Sequence, residues 1–382
     1  VRLRYTLPAL ADLDSILDYI AAHSPHGARR VQARLKALAD LLLQHPQIGR
    51  RTDDPTRMTM TPYPFWCSTR RRKPRSSFTR SGMGRVIRPA CRAPLASGVN
   101  RVKRLIVCAD DFGLDPAVNQ AVEEAHRHGI LSTASLMVGA SAAADAVARA
   151  RLLPGLRVGL HLVLVDGRPV SPRAEVAALV DNAGEFDRNM ARAGIRFFLL
   201  PQVRRQLAYE IRAQFEAFCA TGLTLDHVNA HKHMHLHPSV AALIVTIGRD
   251  YGMRAVRVPA EPVAALRRAF PQERYPTPLY WPWIERLRRR LRRAGLQVND
   301  HLFGLAWSGG MTEDRVLRLL PHLPDGVSEI YFHPAARRTP ALVDAMPDYR
   351  HPKELAALLS PAVEARIETL GIGLTSYGDL AA

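Results

Sequence analysis

From residue 103 onward, short apolar runs alternate with segments whose apolar positions recur every three and four residues. The first period fits buried strands and the second amphipathic helices. KRLIVCA predicts a strand, after which Asp115 and Pro116 start a helix over AVNQAVEEAHRH that stops at Gly129. ILSTASLMV and LRVGLHLVL predict two further strands, with a helix over SAAADAVARARLL between them. Later segments predict helices near residues 203–220 and 238–251, and strands at LDHVNAH, RAVRVP and VSEIYFHPA. Such alternation over about 280 residues predicts a parallel α/β architecture, and a closed or nearly closed barrel suits the length. Active residues are then expected at the C-terminal ends of strands.

The first 65 residues show only the helical period. Leu10, Leu13, Leu17 and Ile20 lie on one helix face ending before Pro25, and a second helix is expected over residues 27–44. Two such helices joined by a short loop make an antiparallel hairpin. Residues 66–102 have no strand alternation and predict a basic, disordered linker. The expected domains are therefore 1–65, 66–102 and 103–382.

Charge sharpens this division. The formal net charge is +18, but twelve Lys or Arg and no Asp or Glu fall between Trp66 and Arg104, leaving about +6 elsewhere. The excess belongs to one segment, and no specific nucleic-acid partner is expected. Cys67, Cys91, Cys108 and Cys219 form no CxxC pair, which predicts a reducing, cytoplasmic setting. No apolar run approaches the roughly 18 residues of a membrane span, and no signal peptide is expected.

Three polar outcrops fall at predicted strand ends: Asp110 and Asp111 in ADDFG, His161 in VGLHL, and the run LDHVNAHKHMHLHP. Taken singly, paired aspartates often cap turns, a lone histidine often hydrogen-bonds within a core, and a histidine tract can be a solvated loop. Together they offer carboxylates and imidazoles that leave open positions on one divalent cation. Zn²⁺ suits the histidines, with Mg²⁺, Mn²⁺ and Co²⁺ open. Of the adjacent pair Asp110 and Asp111, one is expected to be a ligand and the other a general base.

ADDFGLDPAVNQAVEEAHRHGILSTASLMV, VGLHLVLVDGRPV, LDHVNAHKHMHLHP and YFHPA resemble the YdjC family of carbohydrate deacetylases. RRQLAYEIRAQFEAF and RAVRVPAEP are similar to its hopanoid-biosynthesis-associated HpnK branch. The resemblance covers about residues 103–379 and implies a distorted TIM-like barrel of the polysaccharide-deacetylase type. Carried over by position, it implies Asp111, His161 and His231 as metal ligands, Asp110 as general base and His333 as general acid. The implied substrate is an N-acetylated amino sugar. Asn229 stands where chito-oligosaccharide members carry Asp, and Lys232 where several carry a further histidine, which argues against a chitobiose substrate, and the branch resemblance implies instead an N-acetylated amino sugar on a hopanoid or oligosaccharide. A homodimer stays open. So does a metal-dependent hydrolase of another ester or phosphate.

If the histidine run is an extended strand, His231, His233, His235 and His237 share one face. A rise of about 6.6–6.8 Å per two residues is too long for all four to reach one ion. His231 is then the ligand and His233 lines the site. His235 and His237 are expected to finish the strand, and His227 to be structural.

Residues 1–65 resemble a truncated RelE/ParE toxin, whose usual strands are expected to be missing here. A one-base-shifted reading of residues 80–88 spells a stretch similar to that family's closing strand, so a frameshift near codon 65 is expected. DNA sequence across codons 60–100 checks it. The other class of function weighed is a toxin-like or nucleic-acid-binding activity of residues 1–104.

Overall fold

The computed structural model describes residues 103–275 and 281–380 with their side chains, and earlier in the chain only the backbone of three short strands. The chain divides into two units, Val1–Leu95 and Ala96–Ala382. The two helices expected before residue 45, and most of the basic stretch 66–102, lie outside the described residues.

In the first unit, β1 (Arg50–Arg51), β2 (Arg57–Met60) and β3 (Cys67–Arg70) pair antiparallel in that order. This corrects the expectation that strands are missing after the hairpin. The β3 sequence CSTR has no amphipathic alternation, but its pairing with β2 runs through backbone groups that every residue carries.

The second unit is a curled half-barrel of parallel strands surrounded by helices, an α/β TIM-like fold, as the alternation predicts. Its strands are β4 (Lys103–Phe112), β5 (Thr133–Leu136), β6 (Arg157–Leu162), β7 (Leu225–Ala230), β8 (His301–Phe303), β9 (Gly326–Phe332) and β10 (Gly373–Thr375). The order is β7-β6-β5-β4-β9-β8. β10 pairs with β4 at Arg104–Ile106, whereas β5 pairs with β4 from Cys108 onward. β4 is buried from Leu105 to Phe112, which is why it reads as one continuous apolar run.

Helices Pro116–His128, Ala143–Arg151, Pro201–Ala220 and Pro238–Gly248 lie where the period places them. The side chain of Asp115 caps the first by accepting from the Ala117 N–H at 2.7 Å. Pro201–Ala220 also buries Glu210 and Gln214. Glu210 accepts from the Val170 and Ser171 N–H groups, and Gln214 bonds both the N–H and the C=O of Val163. One helix thereby fixes the loop that leaves β6 beside the site.

Two expected strands differ. RAVRVP forms only single bridges, Val256 to Val228 and Ala255 to Gln297, because Pro259 has no N–H to continue a ladder. The histidine run leaves the sheet at Ala230, whose partner Leu162 is the last residue of β6. With no neighbour to pair with, His231–Leu236 folds into a 3-10 turn, with Lys232 and His233 at φ of 51° and 53°. His235 and His237 therefore do not finish a strand. The helix after Pro238 follows as expected.

Candidate metal centre

All four non-glycine residues with positive φ among the described residues lie just beyond the ends of β4, β6 and β7 or in the bulged end of β4: Asp111, Asp166, Lys232 and His233. Backbone strain of this kind concentrates at functional sites. At Asp111 (φ 63°) it coincides with a register shift between Ala109 and Phe112, so that neighbouring carboxylates serve different partners.

Asp111 faces two imidazoles. Its Oδ1 lies 3.3 Å from Nε2 of His161 and 3.3 Å from Nδ1 of His231. The three residues each offer one ligand atom, all within 4.8 Å of one another, a group that could hold a metal ion. Both carboxylate oxygens of Asp111 and Nε2 of His161 are buried without a hydrogen bond. Orphaned buried atoms of this kind are costly unless something else satisfies them, and a cation fits the donor set.

The neighbours of His161 prepare it for that role. Asn229, opposite it in the ladder, donates from Nδ2 to Ser135 Oγ (2.8 Å) and Asp110 Oδ1 (3.2 Å), which turns its Oδ1 toward His161. Nδ1 of His161, 2.7 Å away, must then be the protonated nitrogen, leaving Nε2 bare toward Asp111. Asn229 therefore sets the imidazole tautomer.

Asp110 points to a different partner. Arg257, fully buried, donates to both of its oxygens (2.5 and 2.9 Å) and to Glu329 Oε1 (2.6 Å). Burial acts to raise the Asp110 pKa, but the Arg257 guanidinium holds it far below the usual carboxylate range. Glu329 Oε2 is met by the Tyr377 hydroxyl at 2.6 Å. The sequence reading missed Arg257, Glu329 and Tyr377. The available signal was charge inside apolar runs, in RAVRVP and VSEIYF.

His333 follows β9. Its backbone is held on both sides, the N–H by Glu354 and the C=O by Nδ1 of His351 (2.7 Å), while its own Nδ1 has no hydrogen bond. Burial lowers its pKa, so the ring is held toward the neutral form. Burial also pushes Glu354 up to about 7, even though backbone N–H groups of His333 and Met311 favour its ionised form. The folded-state pKa is raised, so this group's stabilisation is complete below the ordinary value of 4.5 and is lost as pH rises through about 7. Thermal melting of Glu354→Gln should accordingly decline less steeply than the parent across that window; parallel profiles would refute the assignment.

The other histidines separate. His227 is structural as expected, buried between Asp226 (2.9 Å) and Ser135 (3.0 Å) with its ring on Tyr377. A Cβ at Gly159 would come within 2.5 Å of that ring, so the position requires glycine. His233 lies beside Tyr331, with Nε2 3.3 Å from its hydroxyl. His235 is buried with neither ring nitrogen hydrogen-bonded, and burial pushes its pKa down to about 3. His237 sits edge-on to Phe197 and Phe198.

Comparison with known proteins covers both parts of the chain. Residues 3–66 match the family described as ParE toxin of type II toxin-antitoxin system, parDE. A carbohydrate deacetylase of Geobacillus stearothermophilus is 32% identical over 274 residues, 71% of this chain and 96% of that protein. A chitooligosaccharide deacetylase of Yersinia enterocolitica is 31% identical over 289 residues, covering 72% and 99%. Among solved structures, a putative cellobiose-phosphate cleavage protein from Enterococcus faecalis superposes with a TM-score of 0.58 at 25% identity, over 73% of this chain and 99% of that one. The family described as YdjC-like protein matches residues 104–369, and through them the chain belongs to the YdjC-like family.

Proposed function

We propose that the second unit hydrolyses the acetamido group of an N-acetylated amino sugar with the help of one divalent cation. The observation that carries this reading is the set of orphaned ligand atoms on Asp111 and His161, completed by His231, beside a carboxylate that Arg257 keeps ionised. The deacetylases named above are its relatives. A divalent cation held there would polarise the acetyl carbonyl and make hydroxide available near neutral pH.

The chain's own groups divide the remaining work. Asp110 accepts a proton from the attacking water, and Arg257 fixes the direction of its lone pairs. As water adds to the carbonyl carbon and the C–N bond breaks, His333 gives a proton to the departing nitrogen, for which it must enter the step as the imidazolium that the Asp111 and Asp110 carboxylates favour against burial. Acetate and a free amine result. His233 and Tyr331 line the approach.

The finer substrate is an amino sugar carried on a hopanoid, a reading that the HpnK-like phrases support, while Asn229 and Lys232 argue against chitobiose. Lys232 is engaged by Asp166. Mass spectrometry of acetylglucosaminyl hopanoid incubated with metal-loaded enzyme should show loss of one acetyl; no loss sinks the hopanoid reading, and no loss from any N-acetylated sugar sinks the deacetylase.

Asp111→Ala, His161→Ala and His231→Ala should each lose bound metal by elemental analysis. Stoichiometric metal in all three would remove the ligand assignment.

A further inference from the structure

Helix Trp281–Arg293 carries charge that its surroundings leave uncompensated. It buries Ile284, Leu287 and Leu291 and packs against helix Pro238–Gly248 and the His231–Leu236 turn. Within it stand six arginines and a single acidic residue, Glu285. Arg288 pairs with Glu285 (2.5 Å), and Arg292 with Asp300 (3.0 Å). Arg286, Arg289 and Arg293 are exposed and have no ion pair among the described residues. Their spacing of three and four residues sets them on one face.

The arginine face is not only basic. Trp283, one turn before Arg286, is 44% exposed. Helix Met190–Leu199 packs on the same Pro238–Gly248 helix, and it exposes Met190, Ile195 and Leu199, followed by Leu200. Phosphates of a nucleic acid would answer the arginines but give no apolar layer for Trp283 or for the aliphatic side chains exposed on the neighbouring helix. A bilayer surface answers both, because guanidiniums meet anionic headgroups while Trp and aliphatic groups enter the headgroup boundary.

We propose that helix Trp281–Arg293 seats the protein on an anionic phospholipid surface, with Trp283 in the headgroup layer and Arg286, Arg289 and Arg293 on lipid phosphates. The inference rests on these surface residues and not on the deacetylase reading, so either can fail alone. Because the helix packs on the turn that carries His231, docking would bring that wall of the candidate metal centre close to the membrane.

The full chain should co-sediment with vesicles of equimolar phosphatidylglycerol and phosphatidylcholine but not with phosphatidylcholine alone. Residues 66–104 are also basic, so the decisive quantity is a difference between variants. Arg286→Glu, Arg289→Glu and Arg293→Glu combined should weaken vesicle binding at least about tenfold. Unchanged binding would assign the attraction to charge elsewhere and overturn the proposal. So would absence of binding by the parent chain, or arginine-dependent binding to single-stranded oligonucleotide in place of vesicles. Should the triple variant fold poorly, Trp283→Phe gives a second reading. Brominated phosphatidylglycerol vesicles should quench tryptophan emission of the parent more than of this variant, and equal fractional quenching overturns the proposal.

Discussion

Asp110→Asn is expected to lower turnover by about 10²–10⁴-fold while leaving metal content unchanged. The amide keeps nearly the same shape, and its single oxygen can accept one of the two bonds that Arg257 makes to Asp110 while Glu329 still pairs with the guanidinium, so the fold should survive with some loss of stability. It cannot take up a proton at neutral pH, and that is the function proposed for Asp110. The ligand cluster is Asp111, His161 and His231, whereas Asp110 faces Arg257, which is why metal binding should be spared. Single-turnover kinetics on an N-acetylated amino sugar, paired with elemental analysis of the same sample, checks both halves. A variant that turns over like the parent would remove the general-base role, and one that loses metal would show that the two aspartates do not divide their tasks.

Arg257→Met should cost about 3–5 kcal/mol of stability in denaturant unfolding, because it leaves Asp110 and Glu329 buried without the cation that pairs them. In the folded chain, Arg257 joins Asp110 to Glu329, and burial, the force acting most strongly against its charged form, is outweighed by those two carboxylates. Without the guanidinium, Asp110 and Glu329 would face each other as desolvated anions, and at least one would bind a proton. Activity should fall together with stability, since a protonated Asp110 cannot accept another proton. Combining Arg257→Met with Glu329→Gln should recover part of the stability and little of the activity. If the single variant unfolds at the denaturant concentration of the parent, the network is not what holds the centre of the sheet.

The difference between what could and could not be read from the chain follows from the range of the interactions involved. Apolar periodicity is local, so the strand that ends in ADDFG, the helix capped by Asp115 and the helix with Leu207, Ile211 and Phe215 on one face were all legible. Polar outcrops at strand ends marked the region, the resemblance to the YdjC family singled out Asp111, His161 and His231 within it, and the fold brings their ligand atoms within 4.8 Å of one another. The path of the histidine run was not visible. Whether His233 and His235 continue a strand depends on whether β6 extends far enough to pair with them, and β6 stops at Leu162. Arg257 was hidden for a related reason. A charged residue in a short apolar segment is uninformative until the carboxylates from β4 and β9 are seen to close on it.

The pairing of β10 with β4 has a kinetic consequence. Leu374 lies beside Leu105, and Tyr377, just past β10, reaches Glu329 and through it the arginine that holds Asp110. The β10–β4 pairing joins residues roughly 270 positions apart, and a loop that long closes late and slowly in folding. Intermediates that have already assembled β4, β5, β6 and β7 will therefore carry Asp111, His161 and His231 before the final segment docks. Ability to bind metal should appear earlier during refolding than ability to catalyse, with the interval between them set by the docking of the final segment.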